Sequence, residues 1–364
     1  MLKALNILTP VETCHIIKSN IYNMSYIHKI IKNIFIFLLL VLVLYSIFLY
    51  IYYKQVNKEK FIINDDENEL NCKWVSSEGI HKSCDISIMT EDELYRALDY
   101  NKTNNNDIPT IYVHIWYLGK FTKIIDMIHY KFILVSGHDD YTVPDDIFIN
   151  EADLLNFINN KKLIHWYAQN SKINNDKITP IPIGLDYHTL SKKDFSWGSK
   201  MTPVQQELEL DNIRSSALPF WDREIKCYAN YHFQTYGNKF GYDREDIAKV
   251  IQNNLVVFQD KLMKRKDSWE NQTKYTFVIS PHGNGLDCHR TWEALVLGNI
   301  VIVRKSEIDV LYEDLPVLIV DEWSDITQEL LEKTVYEFKN KTFNYDRLLL
   351  KYWTNKINSS RNLD

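Results

Sequence analysis

Residues Ser280-Pro281-His282-Gly283-Asn284-Gly285-Leu286-Asp287-Cys288-His289-Arg290-Thr291-Trp292-Glu293 put two of the chain's 10 glycines, two histidines and an arginine into one short turn. Those residue types suit the binding of an anion. Glycines let backbone N–H groups approach a phosphate with no Cβ in the way, and an arginine fork neutralises its oxygens. The apolar run 276–279 predicts a buried strand leading into the turn. Cys288, Trp292, Leu295 and Val296 recur at helical spacing behind it. Gly298 predicts a left-handed helix end, and 300–303 predicts the next strand. Strand, glycine turn, helix and strand form a βαβ unit whose helix N-terminus favours negative charge.

If the ligand is a sugar nucleotide, Ser280, His282, Gly283, Asn284, Gly285, His289, Arg290 and Glu293 are the candidate donor-binding residues. His289 and Arg290 would face the diphosphate, and Glu293 would accept from ribose hydroxyls. A plainer reading stands beside this. Arg290–Glu293 and His289–Glu293 also have the spacing of ordinary helix pairs, and Asp287 that of a helix N-cap. A nicotinamide-type dinucleotide fold is disfavoured. Cys288 replaces the third glycine, Arg304-Lys305 stand where an acid should bind ribose, and only about eighty residues follow the loop. Neither a P-loop nor a Gly-x-Ser-x-Gly elbow is present. Asp-x-Asp is absent too, as are Cys-x-x-Cys and His-x-x-x-His. The expectation is therefore no metal site and no required cofactor, with the helix terminus and arginine carrying the diphosphate charge.

Around this motif, strand and helix patterns alternate in two series. In the first, 111–116, 132–135, 163–167 and 179–183 predict strands, and 91–100, 121–128 and 151–158 predict helices. A helix over 204–217 closes it. In the second, 224–228, 276–279, 300–303 and 317–320 predict strands, with helices over 244–256, 325–338 and 345–357. Two consecutive α/β series predict two Rossmann-like parallel-sheet domains, 76–218 on the acceptor side and 219–340 for the nucleotide sugar, with 341–364 as a C-terminal helix and tail. Ligands bind at the carboxyl ends of such strands. The loop after 132–135, with His138, Asp139 and Asp140, is the place for a base that takes the acceptor's proton. Asp140 is the first choice, and His138, Asp186 and His188 are alternatives; turn chemistry explains the same residues. His114 and His165 lie in apolar strands and read as core histidines.

About twenty uncharged, mostly apolar residues, 34–53, have the length of a transmembrane helix. Residues 1–33 then form a tail and 54–75 a stalk. The flanking lysines are nearly balanced and barely orient the span. A net charge of −6 gives a nucleic-acid partner no electrostatic support, and Lys264-Arg265-Lys266 reads as a solvated face. Five cysteines are too few for a disulfide framework. Cys72 and Cys84 are near enough in sequence to pair on an oxidising side. Asn101, Asn271, Asn340 and Asn358 open glycosylation sequons.

Residues 277–285, 290–295, 298–303 and 315–317 resemble the exostosin-like glycosyltransferases, in particular a branch seen in algae and large DNA viruses. Residues 166–170 and 181–188 resemble the first domain of that branch. The resemblance covers about residues 110–325 and departs at His282, where exostosin itself often carries arginine. It implies a two-domain GT-B type enzyme behind a single-pass type II anchor, with a nucleotide-sugar donor and a carbohydrate or glycoprotein acceptor. The partner bilayer would be a Golgi- or endoplasmic-reticulum-like membrane with the large domain in its lumen, or a host or virion membrane. The reading from another class is an inactive, sugar-binding or structural ectodomain that kept the fold.

Overall fold

The computed structural model describes residues 67–363 except 101–107, 233–238, 241–242, 252–253 and 260–262, together with positions 33, 38, 41 and 44–46. Met1–Asn64 and Asp65–Asp364 are separate units. The expected anchor, 34–53, and Asn101 thus fall wholly or largely outside the described residues. No described helix is long and apolar enough to cross a membrane.

Within Asp65–Asp364 the chain runs α1 (Ser77–Lys82), β1 (Ile86–Ile88), β2 (Thr110–His114), α2 (Ile115–Ile124), β3 (Phe132–Gly137), α3 (Glu151–Ile158), β4 (Leu163–Gln169), β5 (Ile178–Ile181), α4 (His188–Lys192) and α5 (Pro203–Ser216). It continues through β6 (Glu224–Ala229), α6 (Asp243–Val250), β7 (Val256–Phe258), α7 (Arg265–Gln272), β8 (Tyr275–Ile279), α8 (His289–Val296), β9 (Ile300–Arg304), β10 (Val317–Val320), α9 (Gln328–Lys339) and α10 (Leu350–Ser359). Two five-stranded sheets result, ordered β1-β2-β3-β4-β5 and β10-β9-β8-β6-β7. Every pairing in both is parallel. This is the two-sheet α/β architecture expected from the alternating pattern.

The central strands are apolar on both faces because parallel sheets are covered on both sides. Alternate residues feed different cores. In β8 and β9, Phe277, Ile279, Ile300 and Ile302 join Leu331 and Val335 of α9 in one cluster. Val278, Val301 and Val303 point the other way, into a core holding Trp292 and Leu295 of α8. That second core continues into the first half through Tyr112, Ile133, Val135 and Tyr167, and takes in Trp353 and Ile357 of α10. Each such side chain, fully buried, contributes about 1.5–3 kcal/mol. The C-terminal helix therefore seals the first sheet; Tyr167 Oη donates to the Lys356 carbonyl at 2.9 Å.

Several elements differ from the sequence reading. The helix expected over 244–256 stops at Val250, because Val256–Phe258 is a strand paired with β6. The strand expected to reach residue 116 stops at His114, whose ring accepts from Trp116 N–H and caps α2. The final helix is broken at Leu349, extended and bridged to Trp74. Trp74 is 2 % exposed and Val75 0 %, so the end of the segment read as stalk is core. Its backbone and indole N–H groups are held by Glu207 and Asp211 of α5. Arg265 is not on a solvated face either. Its guanidinium donates to the Asp186 carbonyl and to Gln206, and lies over Trp269.

Candidate functional site

The glycine turn sits at the carboxyl end of β8 and meets the carboxyl ends of β3, β4 and β5. Inside the turn, Gly283 N–H donates to the Gly285 carbonyl at 3.0 Å. A Cβ on Gly285 would stand 2.8 Å from Asn170 Nδ2 and 3.3 Å from the Asp140 backbone. Glycine at 285 thus allows the two halves to close on each other. At Gly283 a Cβ would come to 3.1 Å from Arg244 Nη2, so there glycine leaves room for a guanidinium.

Asp287 fastens this closure. It is 1 % exposed, and its carboxylate accepts from Ile183 N–H at 2.8 Å and from Trp292 Nε1–H at 2.8 and 2.9 Å. Its own N–H donates to Asn170 Oδ1 at 2.9 Å. Burial pushes its carboxyl up to about 6. The helix cap is Cys288, so the N-cap reading of Asp287 gives way to a clamp between β5 and β8. No local pattern announces such a partner, since Ile183 lies 104 residues away.

Two arginines flank the turn. Arg290, in the first turn of α8, donates to the Pro281 carbonyl at 2.7 Å and to Ser280 Oγ at 3.3 Å, with its guanidinium over Tyr231. Arg244, at the start of α6, donates to the carbonyls of His282 at 2.9 Å and His232 at 2.7 Å. Burial lowers the Arg244 pKa, and the nearby positive charge of Arg290 lowers it further. Among the described residues neither guanidinium has a carboxylate within salt-bridge distance, whereas Arg304 in the same region pairs with Asp243. The Asp140 charge acts on Arg244 from across the turn without pairing with it, so two adjacent cations are left with room for a bound anion. Arg244 escaped the sequence reading because it lies 39 positions before Gly283 in an otherwise ordinary acidic helix.

The other predicted donor residues divide. Ser280 Oγ shares a hydrogen bond with Thr291 Oγ1 and so positions the helix start. The His282 ring lies 2.9 Å from the Leu286 carbonyl, to which Nδ1–H donates. Asn284 reaches across to hydrogen-bond the Asp140 carboxylate. Glu293 is turned towards α7, accepting from Trp269 Nε1–H at 3.1 Å, and burial raises its pKa. His289 donates Nδ1–H to the Gly184 carbonyl at 2.7 Å.

Opposite the turn lie the predicted catalytic residues. Asp140 is half-buried against Gly285; burial raises its pKa and the charge of Asp139 adds to this. His138 holds a left-handed backbone, φ 83°, an unfavourable conformation for a residue with a side chain. Burial holds His138 down at about 4, and its Nε2 is 3.6 Å from Glu78. Asp186 Oδ1 accepts from Thr189 N–H at 3.0 Å and lies 3.1 Å from His188 Nδ1. A row of histidine rings links these groups, His114 to His138 at 5.0 Å, His138 to His188 at 5.7 Å and His188 to His289 at 5.8 Å. His165 is the core histidine expected, bonded to Thr179. Cys72 and Cys84 are not joined by a disulfide. Asn340 and Asn358 are exposed, and Asn271 is half-buried. A groove of about 620 Å³ between α5 and α7, lined by Gln205, Glu209, Lys266 and Glu270, includes none of these site residues.

No family model and no curated protein matches the sequence. Among solved structures the chain is similar to an α1,3-fucosyltransferase, with a TM-score of 0.36 and 13% identity over 76% of this chain and 89% of that one. An α1,3-fucosyltransferase with GDP-fucose gives 0.32 and 11% over 74% and 95%. The N-terminal domain of Candida albicans trehalose-6-phosphate phosphatase gives 0.35 and 10% over 74% and 76%. Likeness this distant assigns no activity.

Proposed function

We propose that the protein is an exostosin-like glycosyltransferase of the GT-B type, moving a sugar from a nucleoside diphosphate donor to a hydroxyl of a carbohydrate or glycoprotein acceptor. The observation that carries this is the pair Arg244 and Arg290, half-buried and, among the described residues, with no carboxylate in salt-bridge contact, beside Gly283 at the carboxyl edge of a parallel sheet. A diphosphate supplies the missing charge, and α8 adds its N-terminal dipole. This arrangement needs no metal on the diphosphate. Asp140 faces the turn from the other half. Its raised pKa suits a base that takes the acceptor proton as the glycosidic bond forms. Closing the cleft excludes water, which would otherwise compete as acceptor.

A thermal-shift screen of the full-length chain, solubilised in mild detergent, against uridine, guanosine, adenosine and cytidine diphosphate sugars tests the donor half of this reading. Binding to the folded state alone at a hundred times Kd stabilises by about 2.7 kcal/mol, so one nucleotide should raise the melting temperature measurably. No shift with any of them overturns it. We propose in addition that the apolar segment 34–53 anchors the chain with residues 1–33 cytosolic and the large unit lumenal. Protease should then spare the large unit in sealed vesicles, and its digestion without detergent reverses the orientation.

A further inference from the structure

Asp186, His188 and His289 place one ligand atom each within 4.8 Å of one another. They come from both sides of the cleft. Asp186 and His188 follow β5 and open α4, and His289 is the first residue of α8. Outer contacts orient two of them, and His188 Nδ1 lies 3.1 Å from Asp186 Oδ1. The carbonyl of Gly184 can only accept, so the 2.7 Å contact fixes the proton of His289 on Nδ1 and leaves the Nε2 lone pair free. Asp186 Oδ1 is held by Thr189 N–H at 3.0 Å, and its main-chain carbonyl by Arg265. An imidazole steered by a backbone carbonyl and a carboxylate steered by a backbone N–H are the supports that metal ligands use.

We propose that these three side chains bind one divalent transition-metal ion of the zinc class, bridging the two halves of the cleft. Two imidazoles and one carboxylate match zinc, cobalt, manganese or ferrous iron, whereas calcium and magnesium require oxygen ligands throughout. Three protein ligands leave at least one position open to water or to an oxygen of a bound molecule. The ion would hold the β5–α4 loop against α8 and so fix the cleft in its closed form. His138 and His114 lie beyond the triad along the same row of rings, at 5.7 Å from the His188 ring and 5.0 Å from the His138 ring respectively. They are outside the coordinating set. The proposal does not rest on the donor reading, because metal binding is measured without a donor.

The test uses the full-length chain stripped with chelator, then titrated with zinc and assayed by elemental analysis after gel filtration. One zinc per chain is expected. Replacing zinc by cobalt should give visible d–d absorption of a low-coordinate nitrogen and oxygen site. His188→Gln and His289→Gln should each weaken zinc binding at least about 100-fold, the upper end of what loss of an outer partner alone costs. His114→Gln should bind as the parent does. Absence of stoichiometric zinc in the parent chain overturns the proposal, whether or not the variants fold. Parent-like affinity in both glutamine variants overturns it as well.

Discussion

Replacing Arg290 or Arg244 by alanine probes the anion site directly. Arg244 donates to two backbone carbonyls, Arg290 to one and to Ser280 Oγ, and neither has a carboxylate in salt-bridge contact among the described residues. With a diphosphate present, each would add at least one charge-assisted hydrogen bond, worth about 1.5–3 kcal/mol. At about 1.4 kcal/mol per factor of ten, each single variant should bind a nucleoside diphosphate about ten- to hundredfold more weakly. The two cations share one anion and repel each other without it, so the double variant should lose less than the sum. Arg290→Lys keeps the charge but not the fork and should fall in between. The folding cost is separate. Losing the 2.7 Å bond to the Pro281 carbonyl costs about 1 kcal/mol. Calorimetric titration with the best nucleotide from the donor screen reads affinity, and circular dichroism confirms the fold. Unchanged affinity in both single variants, with the fold intact, refutes the reasoning.

Asp287→Ala should destabilise the chain by about 3–5 kcal/mol, because it strands the N–H groups of Ile183, Cys288 and Trp292 in a buried seam. Urea unfolding followed by tryptophan fluorescence checks this, and a loss below about 1 kcal/mol would show that the clamp is dispensable. His165 predicts a pH dependence. Burial lowers it from 6.5 to about 4, so between those values the unfolded chain takes a proton that the folded one refuses. Stability should fall as pH drops through that window, by about 1.4 kcal/mol per unit and up to about 3 kcal/mol in all. His165→Gln keeps a partner for Thr179 and should remove this share of the slope, leaving that of His138, which burial also holds at about 4; an unaltered slope assigns the effect elsewhere.

The alternating series was legible because buried parallel strands read as uninterrupted apolar runs. Residues 317–320 and 151–158 have the expected bounds, and Gly298 takes the predicted left-handed φ of 79°. The three-residue strands β1 and β7 were missed, since three residues carry no period. In the site, Gly283, Arg290 and Asp140 stand out in the sequence because their chemistry is local. Arg244, Asn170 and Asp287 matter through contacts that only chain folding creates. Asp287 looks like an ordinary helix cap until Ile183 is brought to it. The row of histidines is dispersed over positions 114, 138, 188 and 289, and no spacing rule collects it.

Turnover decides whether the protein transfers a sugar. The full-length chain is incubated with its best nucleotide sugar and a panel of oligosaccharide and glycopeptide acceptors, and the released nucleoside diphosphate and the new glycosidic product are quantified together. Both products are expected in equal amounts, with their formation reduced about 10²- to 10⁴-fold in Asp140→Asn and donor affinity retained, as removal of a general base requires. A chain that binds donor or glycan yet forms no glycosidic product with any acceptor would contradict this and leave a sugar-binding module.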